Sequence, residues 1–124
     1  MNDLSWAARR RIVYDRAKGC CEYCQTCEAN TAQAMHVDHI DPAGDDQLDN
    51  LCLSCANCNL TKSTDTTAID PATNERIALF NPRQQIWDEH FQWIEAGLIL
   101  IGLSPTGRAT VQRLKLNQDR LLIA

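Results

Sequence analysis

The chain lacks any long hydrophobic run. Even Leu98-Ile99-Leu100-Ile101 falls far short of the ~18 residues that a membrane-spanning helix needs. It opens Met1-Asn2-Asp3-Leu4, with an early acid and no apolar stretch behind it. No secretion signal is expected from that start, and a cytoplasmic location follows as the expectation. The chain also lacks a basic excess. Twelve Lys and Arg stand against sixteen Asp and Glu, giving a net charge of -4 and a pI near 5.2. That balance is unusual for a nucleic-acid protein, which often shows a basic excess. No internal repeat or low-complexity segment is present. With 124 residues, one domain over 1–124 is expected, burying roughly two-thirds of its unfolded surface.

Cysteine, by contrast, is plentiful, at seven residues. Without a secretion signal these read as metal ligands in a reducing compartment, and a disulfide scaffold is not expected. The charges are unevenly placed. Arg9, Arg10, Arg11, Arg16 and Lys18 gather near the start, whereas Asp38, Asp41, Asp45, Asp46 and Asp49 crowd the centre. The basic group is available to phosphate and the acidic group to metal ions and turns. Both also read as ordinary solvated surface.

Leu4, Ala8 and Ile12 recur every four residues, widened by Trp6, Val13 and Ala17. This predicts a helix from about Leu4 to Lys18 closed by Gly19, with Arg9, Arg10 and Arg16 facing outward. Ala34 to Ile40 predicts a strand. Asp41-Pro42-Ala43-Gly44-Asp45-Asp46 predicts a loop, Leu51 to Leu53 a second strand, and Ala56 or Asn57 to Lys62 a short helix. Asp65 to Ala68 reads as a polar link, with short extended pieces around Ile77 and Leu79 after it. Asn81-Pro82 predicts a capped helix through about Trp87. Phe91 to Ile94 and Leu98 to Leu103 predict a hairpin turning at Ala96-Gly97. Ser104-Pro105 predicts the cap of a last helix, Thr106 to Leu116.

Two Cys-x-x-Cys pairs can close a tetrahedral zinc site of four thiolates. The second pair is Cys55 with Cys58. The first has two registers, Cys21 with Cys24 or Cys24 with Cys27, and the former is preferred. A structural Zn2+ can add on the order of 10 kcal/mol to folding, which would hold the early turn against the later helix. Cys20, Cys27 and Cys52 are expected to be spectators, with Cys52 acting as a small apolar strand residue.

Between the cysteine pairs lies Asp38-His39. Phosphodiester hydrolysis needs an activated water and relief of charge on the phosphoryl and leaving oxygens. A neutral imidazole can take a proton from water near pH 7. Neighbouring residues of a strand face opposite sides, so Asp38 can face a metal ion while His39 faces the water. By itself such a pair is more often a hydrogen-bonded structural histidine; its position between the cysteine pairs reverses that preference. Asn59, fixed by Cys58, can offer its amide oxygen to the ion at Asp38. That hard donor set suits Mg2+ or Mn2+, and the alternative for Asn59 is a helix cap. Lys62 can meet a substrate phosphate or be a solvated helix lysine. Asn50 can hydrogen-bond across the loop and hold His39. His36 reads as a packed strand residue, and His90 is given no role.

The arrangement Cys21-x2-Cys24, Asp38-His39-Ile40, Asn50-Leu51 and Cys55-x2-Cys58-Asn59-x2-Lys62 resembles the HNH endonucleases that carry a four-cysteine zinc. The stretches Leu79-Phe80-Asn81-Pro82-Arg83 and Gly102 to Val111 resemble the tails of small bacterial HNH proteins. The resemblance implies an α+β fold. Its ββα-metal core would lie at about 19–63, with an N-terminal helix before it and a hairpin-plus-helix extension over 69–124. It implies cleavage of DNA with a divalent ion. Catalytic roles would fall to His39 as general base and Asn50 as orderer of the loop. Asp38 and Asn59 would ligate the catalytic ion, and Cys21, Cys24, Cys55 and Cys58 the structural zinc. One such centre cuts one strand at a time, so double-strand cleavage would call for two copies, as in a homodimer; the oligomeric state itself is left open. In place of the lysines and Gly-Gly common after the histidine, this chain carries acids at 41, 45, 46 and 49. The competing readings are a zinc-stapled module that binds nucleic acid or protein without cutting, and a redox or zinc sensor built on the cysteines.

Overall fold

The structure, a computed structural model, describes residues 4–117; the expectation drawn from Met1-Asn2-Asp3 lies outside them. The first helix, α1, runs Trp6–Arg16. Ser5 caps it by accepting the Ala8 amide at 3.0 Å, as a short hydroxyl side chain at that position commonly does. The broad apolar stripe expected here is largely exposed: Val13 is its one buried residue. Val13 packs with Leu51 and Leu53, flanked by Met35, Val37 and Leu48. Arg16 does not simply face water, because its guanidinium donates to the Leu51 carbonyl.

A knuckle follows, then the one-turn α2 (Glu28–Thr31), strand β1 (His36–His39), a 3-10 turn (Leu48–Asn50), strand β2 (Leu51–Ser54) and helix α3 (Ala56–Lys62). β1 and β2 pair antiparallel, with Asp38 opposite Cys52 and His39 opposite Leu51. This is the strand–loop–strand–helix order expected from the sequence. Glu22 locks the knuckle to β2. Its amide donates to the Leu53 carbonyl at 2.9 Å, and its carboxylate accepts the Leu53 amide at 2.8 Å.

The extension holds two more antiparallel hairpins. β3 (Thr67–Ile69) pairs with β4 (Arg76–Ala78), and β5 (Phe91–Ile94) with β6 (Ile99–Gly102). Thr67 and Ala68, expected in a link, belong to β3. The helix expected after Asn81-Pro82 is a non-helical turn. There the Asn81 side chain accepts the Arg83 amide, and the Gln85 side chain accepts the Asn81 amide. Local side-chain bonds of this kind compete with helix formation. A single helical turn, α4, comes later at Trp87–His90.

The last helix, α5, spans Pro105–Arg113, capped by Ser104 with proline in its first turn. It packs on both hairpins of the extension. Its approach to β6 and to the end of α4 depends on glycine: a Cβ on Gly102 would lie 2.2 Å from the Arg108 amide nitrogen, and one on Gly107 2.0 Å from the His90 carbonyl oxygen. Asp70 is fully buried and accepts two bonds from the Arg108 guanidinium, at 2.9 and 2.8 Å, tying the β3–β4 turn to α5. Thr61 of α3 donates to the Leu114 carbonyl at 3.1 Å, and the Trp87 indole donates to the Tyr23 carbonyl at 2.8 Å. The extension thus braces the knuckle and α3. Tyr23, Phe80, Phe91, Leu100, Leu114 and the knuckle cysteines share one core. Among the described residues no helix is long and apolar enough to cross a membrane.

Candidate nuclease centre

The four sulfurs of Cys21, Cys24, Cys55 and Cys58 lie within 4.8 Å of one another, all on buried residues. Cys24 and Cys55 Sγ are 3.8 Å apart, about the edge of a tetrahedron with ~2.3 Å zinc–sulfur bonds. A quartet of buried thiols with no cation is a poor use of a core, and as thiolates they match tetrahedral zinc. The Cys55 thiol is held well below the ordinary cysteine range by hydrogen bonds from Cys21, then from Cys24 and Cys58. Cys55 also caps α3, its sulfur accepting the Cys58 amide at 3.4 Å, so the ligand pair starts the helix. Cys21, not Cys27, is the register that reaches the cluster.

Cys20 and Cys27 correct the expectation of spectator thiols: they are joined in a disulfide. They face each other across an isolated antiparallel bridge, so the chain reversal that presents Cys21 and Cys24 also brings their neighbours together. Cys52 is buried and donates to the Tyr23 hydroxyl at 3.7 Å. Burial pushes its thiol up to about 12, which keeps it neutral and apolar in character.

β1 delivers Asp38 and His39 to opposite surroundings, as strand alternation requires. Asp38 turns inward. Its Oδ2 is buried without a hydrogen-bond partner, and the nearest cation is the Lys62 ammonium at 3.9 Å. Burial raises the Asp38 carboxyl, with Lys62 pulling in the opposite direction. Lys62, expected at a phosphate, has 1% of its side chain exposed and also donates to the His39 carbonyl at 3.4 Å. An ammonium so enclosed is not presented to an incoming phosphate.

His39 turns the other way. Trp6 of α1 stacks on its imidazole, centroids 6.2 Å apart and planes 14° from parallel. Its Nε2 lies 2.7 Å from Asp46 Oδ1. A carboxylate oxygen accepts in this contact, so Nε2 donates, and in the neutral form of the ring Nδ1 is then the nitrogen with the lone pair. Asn50 spans the loop. Its Nδ2 donates to the Asp41 and Asp45 carbonyls at 3.0 and 2.8 Å, and its Oδ1 accepts the Asp41 amide at 3.0 Å. The turn is tight enough that a Cβ on Gly44 would meet Asn50 Nδ2 at 2.6 Å.

Asn59 sits one turn before Lys62 on α3 and lines a cleft with His36, Val37 and Trp6. No hydrogen bond among the described residues engages its side-chain amide. His36 is exposed rather than packed. The site therefore brings Asp38 to Lys62 and His39 to Asp46, with Asn50 holding the loop that carries Asp46. Residues 21–65 match the HNH endonuclease family model. That HNH segment runs from the first zinc-spaced cysteine past the end of α3. No curated protein and no solved structure matches the chain.

Sequence reasoning missed Asp46 and Trp6 as partners of His39. Asp46 was legible only as one of several loop acids. Trp6 was legible as helix surface, and its meeting with His39 depends on how α1 packs against the hairpin. His90, given no role, lies 2.6 Å from the Ser104 hydroxyl through Nδ1, at the start of α5.

Proposed function

We propose that the chain is a metal-dependent endonuclease that hydrolyses DNA phosphodiester bonds, built on a structural zinc. The observation that carries this reading is the buried Oδ2 of Asp38, which accepts no hydrogen bond, one strand position before His39, whose Nδ1 no hydrogen bond among the described residues engages. A carboxylate oxygen withdrawn from water without a hydrogen bond is costly, and a divalent cation relieves that cost. Asp38 and the unengaged amide oxygen of Asn59 would hold Mg2+ or Mn2+, hard ions suited to oxygen donors. When bound, such an ion would offset charge developing on the phosphoryl group and the leaving oxygen.

The rest is done by the chain's own groups. Nδ1 of His39 takes the proton from the attacking water. Asp46, facing Nε2, fixes the ring and stabilises the imidazolium that results. Trp6 covers one face of the imidazole and limits its rotation. Asn50 holds Asp41 and Asp45 together, which keeps Asp46 within reach. The four-cysteine cluster and the Glu22 contacts hold the knuckle against β2 and the start of α3, and β2 in turn carries β1.

The 3.9 Å approach of Lys62 to Asp38 favours a second reading, a binding module in which the lysine neutralises the carboxylate. Supercoiled-plasmid cleavage separates the two. Zinc-loaded protein with Mg2+ or Mn2+ is expected to nick the plasmid, and His39→Ala to reduce the rate by about 100-fold or more. A plasmid left intact under every metal condition, or cut equally well by His39→Ala, would rule out the nuclease reading.

A further inference from the structure

Trp6, Arg10 and Tyr14 stand at four-residue spacing along α1, on one stripe of the helix surface. Together with His36, Leu53 and Asn59 they line a cleft of about 310 Å³. The stripe covers a rise of about 12 Å, some three to four stacked base steps of a strand. Trp6 and Tyr14 are 41% and 38% exposed, and the Tyr14 hydroxyl donates to Glu28 at 3.3 Å. Arg10 is exposed, and among the described residues its guanidinium has no partner. Its neighbours on α1 are engaged: Arg11 with Asp15, Arg16 with Leu51, and Arg9 with the Leu4 carbonyl. Trp6, which lines the cleft, also stacks on the candidate general base His39.

We infer that this cleft is a subsite for an unpaired nucleotide next to the scissile phosphate, so that the substrate is nucleic acid carrying a single-stranded stretch. The inference rests on the nucleic-acid part of the function proposed above. Aromatic faces recognise bases only when those bases are unstacked; in a regular duplex the faces are covered and phosphates are the main contact. Two partly exposed rings flanking a guanidinium match a base–phosphate–base repeat. The acidic loop, Asp41 to Asp49, repels a second backbone on the other side of His39, which further disfavours a continuous duplex. A chain with a net charge of -4 has no broad basic face to hold a duplex by phosphates alone, and stacking supplies what charge does not.

The test uses the zinc-loaded full chain without added Mg2+, so that nothing is cut. Fluorescence anisotropy compares a labelled 20-nucleotide single strand with its duplex. The single strand is expected to bind about tenfold tighter or better. Trp6→Ala and Arg10→Ala should each weaken it by about tenfold, with the duplex affected less, while Arg11→Ala should leave it unchanged. Arg10 is an exposed helix residue, so its alanine variant keeps the test valid if Trp6→Ala fails to fold. Equal affinity for the two forms, or an Arg10→Ala protein that binds the single strand as wild type does, would overturn the subsite. If wild type also nicks plasmid, that result leaves the nuclease reading standing. Stripe-dependent single-strand binding without any nicking would keep the subsite and remove the nuclease.

Discussion

Lys62 has 1% of its side chain exposed, and its ammonium lies 3.9 Å from Asp38 Oδ2. Removing one member of such a buried pair leaves the other charge stranded, which typically costs about 3–5 kcal/mol. Lys62→Met, which keeps the volume and loses the charge, is expected to destabilise the zinc-loaded protein by about 3 kcal/mol in urea titration. Asp38→Asn combined with Lys62→Met should cost clearly less than the two single changes added together, since neither variant group then faces an unpaired charge. Additive losses would show that the pair is not coupled. Asp38 and Lys62 were each readable as site residues, but not as partners. They are separated by a loop, a strand and a helix, and only the packing of α3 beneath β1 brings the ammonium to the carboxylate.

At the scale of elements, the loop between β1 and β2 is held by Asn50. It makes three hydrogen bonds, to Asp41 twice and Asp45 once. At about 1 kcal/mol each before relaxation and solvent replacement, Asn50→Ala is expected to lose roughly 1–2 kcal/mol. Amide exchange in residues 41–47 should speed up, with little change in the extension. Gly44→Ala should produce the same local signature, because its Cβ would push directly on Asn50 Nδ2. Uniform acceleration across the chain would instead mean that the loop is not a separate unit of opening. The loop's existence and its anchor were legible from Asp-Pro and Gly residues followed by Asn50. The helix expected after Asn81-Pro82 was not correctly readable. A capping asparagine and a following proline open a helix or a turn with equal ease, and the Asn81 and Gln85 side chains select the turn.

For the whole molecule, the four-cysteine cluster and the Asp70–Arg108 pair each tie distant segments together. Stripping zinc with a strong chelator is expected to collapse the thermal transition, because zinc contributes on the order of 10 kcal/mol in domains of this kind. Cys55→Ser should do likewise, whereas Cys52→Ala should retain about one zinc per chain. In the extension, the Arg108 guanidinium, helped by the Ala72 amide and Thr73, holds the Asp70 carboxyl down at about 2. A depressed folded value stabilises fully above the unfolded value of about 4. That contribution is then lost as pH falls from about 4 through about 2. Wild type should therefore exceed Asp70→Asn in stability at pH 7, with the gap closing across that acid window. The difference between the two proteins is the readout, since acid protonation of the zinc thiolates is common to both. A gap that stays constant down to pH 2 would place the stabilising role of Asp70 elsewhere.

The sequence by itself determined what depends on short spacing. Two Cys-x-x-Cys pairs select a tetrahedral thiolate cluster. Alternation along β1 separates Asp38 from His39. Turn residues and caps set the order strand, loop, strand, helix, and Ser104-Pro105 starts α5. Tertiary structure decided the partners. Lys62 goes beneath Asp38 rather than out to a phosphate. Asp46 swings onto His39, Trp6 stacks over it, and Cys20 meets Cys27 across the knuckle. Each of these joins segments whose local patterns are satisfied equally well apart, so no local preference selects them. They are fixed only when the hydrophobic contacts of Val13, Leu51, Leu53 and Tyr23 set how α1, the hairpin and α3 lie against one another.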